Sequence, residues 1–152
     1  MTEGHVKVIV SNRRARYDYH VESKLECGIQ LTGTEVKSLR ENSAQMSDAY
    51  AVGNHGELLL MNLQIPHYKP AGPLSNHEPK RSRKLLLHRR EIDRLLEQQQ
   101  KSGYALIPLS LYFKDGRAKV ELGVCKGKTG TDKRDSIAER EAKREMDKAR
   151  KR

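Results

Sequence analysis

Two runs of strict alternation joined by a two-residue turn constrain this chain more than any other feature. Ala105, Ile107, Leu109, Leu111 and Phe113 place an apolar side chain at every second position; Asp115-Gly116 interrupts, and Ala118, Val120, Leu122 and Val124 alternate back. Successive side chains of a strand point to opposite faces, so the pattern describes an antiparallel hairpin with a buried face. Asp-Gly suits the tight turn, whose central residues take positive φ. The same period recurs at Val6, Val8 and Val10, at Tyr17, Tyr19 and Val21, and at Cys27, Ile29 and Leu31. A turn cluster, Gly53-Asn54-His55-Gly56, separates residues 48–52 from 58–65 and predicts a second hairpin, ended by Pro66. Residues 67–79 hold Pro70, Pro73 and Pro79 with Gly72, Ser75 and Asn76, which predicts a long loop, and a short strand follows at 85–87.

Two helices interrupt the strands. Thr32-Gly33-Thr34-Glu35 has the spacing of a capping box, and Val36 with Leu39 supplies an apolar pair before Asn42. The second helix runs over 89–101, with Ile92, Leu95 and Leu96 on one face and Gly103 as its stop. Short antiparallel strands with two or three flanking helices predict a mainly β fold, a small OB-like antiparallel β-barrel. Residues 1–126 would form this body. Residues 127–152 carry 10 Lys and Arg against 6 acids and, as large apolar side chains, only Ile137 and Met146. So little apolar surface cannot offset an ordering cost of roughly 1–2 kcal/mol per residue. A basic C-terminal tail, disordered when free, is expected there.

The chain has 30 Lys and Arg against 20 Asp and Glu, a net charge of +10. Polyanions are therefore its natural partners, and nucleic acid and anionic membrane both qualify. No apolar run is long enough to span a bilayer, and Met1-Thr2-Glu3-Gly4-His5 lacks a signal-peptide pattern. Cys27 and Cys125 each lie in an alternating apolar run, which suits reduced, packed thiols and a cytoplasmic setting. Three clusters carry the cations: Arg13, Arg14 and Arg16 in a loop; Lys37 and Arg40 on one helix face; and Lys80, Arg81, Arg83, Lys84, Arg89 and Arg90 without an intervening acid. A single run of this kind is usually a solvated surface. Three runs and a cationic tail favour RNA, since each cation placed on a phosphate releases condensed counterion.

Catalytic patterns are missing from the sequence. His5, His20, His55, His67, His77 and His88 never reach metal-ligand spacing, and no cysteine pair accompanies them. Neither a nucleophile elbow nor a phosphate-binding glycine loop occurs. A non-enzymatic protein without cofactor or metal is expected; a nuclease built from scattered carboxylates is the alternative. Tyr17, Tyr19, Tyr68, Tyr104, Tyr112 and Phe113 could stack on bases. Alternation favours packing for Tyr19, Tyr104 and Phe113, and the loop position favours exposure for Tyr68. In the tail, Ala138, Ala142, Met146 and Ala149 form a narrow helical stripe, which is marginal alone in water.

Five segments in order carry a family resemblance. They are Asn12-Arg13-Arg14-Ala15-Arg16; Thr32-Gly33-Thr34-Glu35-Val36-Lys37-Ser38-Leu39-Arg40; Arg83-Lys84-Leu85-Leu86-Leu87-His88-Arg89-Arg90; Pro108-Leu109-Ser110-Leu111-Tyr112-Phe113; and Lys126-Gly127-Lys128 with Asp132-Lys133-Arg134. Together they span residues 12–134, and the chain resembles the SsrA-binding protein (SmpB) family, bacterial partners of transfer-messenger RNA.

The resemblance implies an adaptor of trans-translation. Its barrel would hold the tRNA-like domain of transfer-messenger RNA and deliver it to stalled ribosomes, and the nascent chain would be tagged for degradation. RNA contact would fall to Asn12, Arg13, Arg14, Glu26, Lys37, Ser38, Arg40, Arg83, Lys84 and Leu86. The small-subunit decoding site and message channel would take Lys126, Gly127, Lys128, Asp132, Lys133 and Arg134, with Ile137 and Met146 packing in an induced helix. The chain would act as a monomer, away from membranes. Thr131 stands where the family often carries histidine, and the tail lacks the tryptophan of some members. A generic OB-type RNA-binding protein remains the competing reading.

Overall fold

The computed structural model describes residues 5–101 and 103–127. Seven strands and three helices follow in the order β1 (Val6–Ser11), α1 (Arg13–Asp18), β2 (Tyr19–Ile29), α2 (Gly33–Glu41), β3 (Tyr50–Asn54), β4 (Glu57–Met61), β5 (Arg83–Leu86), α3 (Arg89–Gln99), β6 (Tyr104–Lys114) and β7 (Arg117–Gly127). The strands pair antiparallel in the order β1-β6-β3-β4-β5-β2-β7, and β6 also pairs with β7. Six strands therefore close a ring, with β1 added outside β6, as expected of an OB-like barrel. The join between β3 and β6 is narrow, a single pair of Ala51 with Leu106.

Both tight turns form where turn residues stand. Asp115 and Gly116 take φ of 51° and 80°, and His55 and Gly56 take 50° and 79°. Gly53, expected in the second turn, lies in β3 instead. A Cβ there would come within 2.5 Å of Leu96 Cδ2, so glycine lets α3 approach the sheet.

Alternation misreads two strands, and β-bulges are the cause. In β6 the register slips between Pro108 and Ser110. A one-residue slip moves later side chains to the opposite face. Leu111 and Phe113 consequently face the barrel core. Ala105, Ile107 and Leu109 instead face outward, onto a small cluster with Ala15, Tyr19, Val21 and Cys125 beneath α1. The segments read separately around Tyr19–Val21 and Cys27–Ile29 form one strand, β2, with a slip between Val21 and Ser23, while Tyr17 falls in α1 and Leu31 beyond the strand's end. Leu25, Cys27 and Ile29 then face the main core.

The cluster at 13–16 is helical, not a loop. Asn12 caps α1 by accepting from the Ala15 amide at 3.1 Å, and donates to the Met46 and Pro108 carbonyls at 3.2 and 2.9 Å. Its helix is only six residues long and has too little apolar surface for a periodic signal. The 67–79 segment is a loop with a 3-10 turn, Lys69–Ala71. Asn76 pins it by bonding Tyr68 through both its amide and its carbonyl.

Beneath that loop lies a buried ionic knot. Glu35 and Arg83 are both fully enclosed and paired. Glu35 also closes the α2 capping box on the Thr32 amide at 2.8 Å and accepts from Arg81 at 2.7 Å. Burial pushes the Glu35 carboxyl up, but Arg81, the Thr32 amide and Arg83 outweigh it, leaving the group below its ordinary value. Arg83 extends the knot by donating to the Leu63 carbonyl at 2.6 Å. Ser38 adds a bond to the Pro66 carbonyl at 2.6 Å.

Candidate nucleic-acid interface

Residues 24, 26 and 28 of β2 alternate with the core positions 25, 27 and 29, so Lys24, Glu26 and Gly28 share the outer face of the barrel. Across the ladder Glu26 stands opposite Glu121 of β7, and Gly28 stands opposite Lys119. On the other side Gly28 pairs with Leu86 of β5. Lys84, two residues before Leu86, lies on the same face and pairs with Glu57 at 3.1 Å. Leu86 is 48% exposed, an apolar platform ringed by charge. Gly28 makes room for it, since a Cβ there would lie 3.1 Å from Leu86 Cβ. Glu26 therefore sits within a strand, beside the buried Cys27.

Glu26 is held from β6. The Tyr112 hydroxyl donates to Glu26 Oε2 at 2.5 Å, and Lys114 Nζ approaches the same oxygen at 3.4 Å. The Tyr112 bond, aided by Lys114 and Lys119, keeps the carboxyl below its ordinary value against the opposing effect of burial. Burial and the neighbouring carboxylate push the Tyr112 phenol up. Glu26 is thus an ionised acceptor in a cationic surround.

Along β1 the face continues as a groove of about 480 Å³, lined by Val8 and Leu109 with Arg13, Arg16, Lys24 and Glu121. A second groove of about 300 Å³ runs from Leu86 past Leu31 and Val36 to Arg117 and Lys119. Val36 lies in the first turn of α2, the helix on which Lys37 and Arg40 are exposed. Lys37 Nζ stands 5.9 Å from the centre of the half-buried Tyr68 ring, so that ring already has a cation on it. Apolar platforms flanked by cations, with one fixed carboxylate, suit unpaired bases and the backbone that carries them.

The expected RNA residues do not form one surface. Arg13, Glu26, Lys84 and Leu86 share the outer face or its groove, and α2 carries Lys37 and Arg40 at its border. Arg14 turns away, 3.3 Å from Asp18 and 3.7 Å from Asp48. Asn12, Ser38 and Arg83 are buried and bonded to protein groups. They therefore support the surface from below. Arg83 in particular, expected among the RNA contacts, has its guanidinium enclosed by Glu35 and backbone carbonyls. The acid-free run at 80–90 finds its acids in space: Arg81 pairs with Glu35, Lys84 with Glu57, and Arg89 with Asp93.

Lys24, Lys114, Lys119 and Glu121 belong to the face but escape a search for clusters. Strand parity relative to the core positions would have found them. Lys126 and Gly127 end β7, where Lys126 Nζ stands 5.9 Å from the Tyr104 ring centre and the Gly127 amide bonds the Gly103 carbonyl at 3.1 Å. Lys128, Asp132, Lys133, Arg134, Ile137 and Met146 lie outside the described residues, as does the expected tail beyond Gly127. Among the described residues no three His, Cys, Asp or Glu side chains are placed to hold a metal ion, and no helix is long and apolar enough to cross a membrane.

Known proteins match this chain along nearly its whole length. The SsrA-binding protein of Myxococcus xanthus is 56% identical over 97% of this chain and 91% of its own. That of Acidothermus cellulolyticus is 54% identical over 94% and 89%. A solved structure described as "tmRNA-SmpB: a journey to the center of the bacterial ribosome" contains a chain 42% identical, with a TM-score of 0.70, covering 86% of this chain and 95% of that one. The family model described as SmpB protein matches residues 9–152, and the chain belongs to the SmpB family.

Proposed function

We propose that this chain is the RNA-binding adaptor of trans-translation. It binds the tRNA-like domain of transfer-messenger RNA and brings it to ribosomes stalled without a stop codon, where the nascent peptide is tagged for degradation. Family membership across residues 9–152, with a close structural relative in the transfer-messenger RNA–SmpB structure, is the observation that carries this reading. An adaptor that acts on ribosomes fits a cytoplasmic protein. An adaptor has no reaction of its own to catalyse; its task is to hold one RNA and present it.

Two surfaces divide the work. The outer barrel face, with Glu26, Leu86, Lys84 and the Arg13 groove, takes the RNA. Its cations meet backbone phosphates, while Leu86 and the Glu26 carboxylate meet exposed bases. The segment from Lys126 through Arg134, followed by the basic tail with Ile137 and Met146, takes the decoding site and message channel. The test is a reconstituted translation reaction on a message lacking a stop codon. Full-length protein with alanyl transfer-messenger RNA should yield tagged peptide, and omission of the protein should abolish it. Tagging that proceeds equally without the protein refutes the proposal.

A further inference from the structure

We infer that Tyr112 is a positioning residue for RNA recognition: its hydroxyl fixes Glu26 so that one carboxylate oxygen faces outward to accept from a base N–H. The inference rests on the RNA face proposed above. Glu26 is 40% exposed, while Tyr112 is 8% exposed and locked in the ladder between Val8 and Lys119. The short bond joins a rigid donor to a side chain that would otherwise move freely. Tyr112 and Lys114 both address Oε2, so Oε1 is the oxygen left for a partner.

A carboxylate on the RNA side of a cationic protein is repelled by phosphates. It becomes useful where unpaired bases offer N–H donors, because an ionised carboxylate can only accept and so selects donor edges over acceptor edges. A freely rotating glutamate would instead collapse onto the surrounding cations. These are Lys114 from β6, Lys119 from β7 and Lys24 on β2 itself, with Glu121 as the opposing charge. Tyr112 competes with that collapse without adding charge. A hydroxyl held at a carboxylate adds direction, and direction is what discriminates one base edge from another.

The test combines Tyr112→Phe and Glu26→Gln, singly and together, with affinities measured for the tRNA-like fragment and for an unrelated hairpin. Phenylalanine keeps the ring and its packing, and a melting curve checks that each variant is folded. Tyr112→Phe should weaken the cognate fragment about five- to twentyfold, the lower end of the effect of losing a hydrogen bond to a charged group. It should leave the hairpin unchanged, and should add less than about twofold to the loss already caused by Glu26→Gln. In the free protein, the Glu26 carboxyl should titrate at higher pH in Tyr112→Phe than in the parent, followed by its ¹³C resonance. An equal loss in the Glu26→Gln background would make Tyr112 merely structural and overturn the inference, as would parental affinity in Tyr112→Phe. If Glu26→Gln binds the cognate fragment as well as the parent, the base contact at Glu26 fails and the positioning role falls with it. The adaptor function would survive that result, since it is read from tagging.

Discussion

Replacing Glu35 with Gln removes one charge from the buried knot and leaves the shape nearly unchanged. The amide has one acceptor oxygen where the carboxylate has two. If that oxygen serves Arg81 and the Thr32 amide, now at 2.7 and 2.8 Å, the new NH2 group confronts Arg83 Nε, donor against donor. Arg83 is fully enclosed, so its charge would have carbonyl dipoles and no counterion. Breaking a buried ion pair from one side costs ~3–5 kcal/mol. For a body of this size each kcal/mol shifts the melting temperature by roughly 3–6 °C, so a fall of about 10–30 °C is expected. Urea unfolding should show a lower midpoint with an unchanged slope. Arg81→Ala, at a side chain 37% exposed, should cost ~1 kcal/mol or less after solvent screening. A loss below ~1 kcal/mol for Glu35→Gln would refute the view that this knot holds α2 to the loop. The same pair gives a pH signature. Glu35 sits below its ordinary value in the folded state, so its stabilisation is complete above the unfolded carboxylate pKa of about 4.3 and is lost as pH falls through the folded value. Glu35→Gln should abolish that part of the acid limb.

Other outcomes follow from the same geometry. Burial pushes Cys27 up to about 12 and Cys125 up to about 11, so neither thiol should react with iodoacetamide at pH 8 in the folded protein, and both should react in denaturant. Lys84→Ala should weaken binding to any RNA and lower the slope of log affinity against log salt by about one unit, read from a salt titration. Replacing Asp132, Lys133 and Arg134 together with Ala should leave affinity for the tRNA-like fragment within about twofold while abolishing tagging; a tenfold loss of RNA affinity would contradict the division of labour.

Much of the barrel was legible in the sequence because its signals are local. The Asp115-Gly116 turn, the capping box at Thr32–Glu35 and the alternation of β7 each involve neighbours in the chain, and each forms as expected. Bulges were not legible. The slip at Pro108–Ser110 leaves the apolar alternation of β6 intact while dividing its residues between two cores. For the site, composition found the cations but not their positions. Arg83 alternates with the fully buried Leu85, a parity pointing inward, yet charge made it look like a surface residue. Its partner Glu35 is 48 residues away, and Tyr112 is 86 residues from Glu26, separations that no local pattern spans. The resemblance supplied Glu26 and Leu86; geometry explains why they share a face, through β2, β5 and the missing side chain at Gly28.

The central claim is that this basic barrel serves one RNA. It is tested most directly by isolating the full-length protein from cells after crosslinking and sequencing the RNA attached to it. The account predicts one dominant species, transfer-messenger RNA, with crosslinks concentrated in its tRNA-like domain. A broad mixture of cellular RNAs, without enrichment of that species, would contradict it.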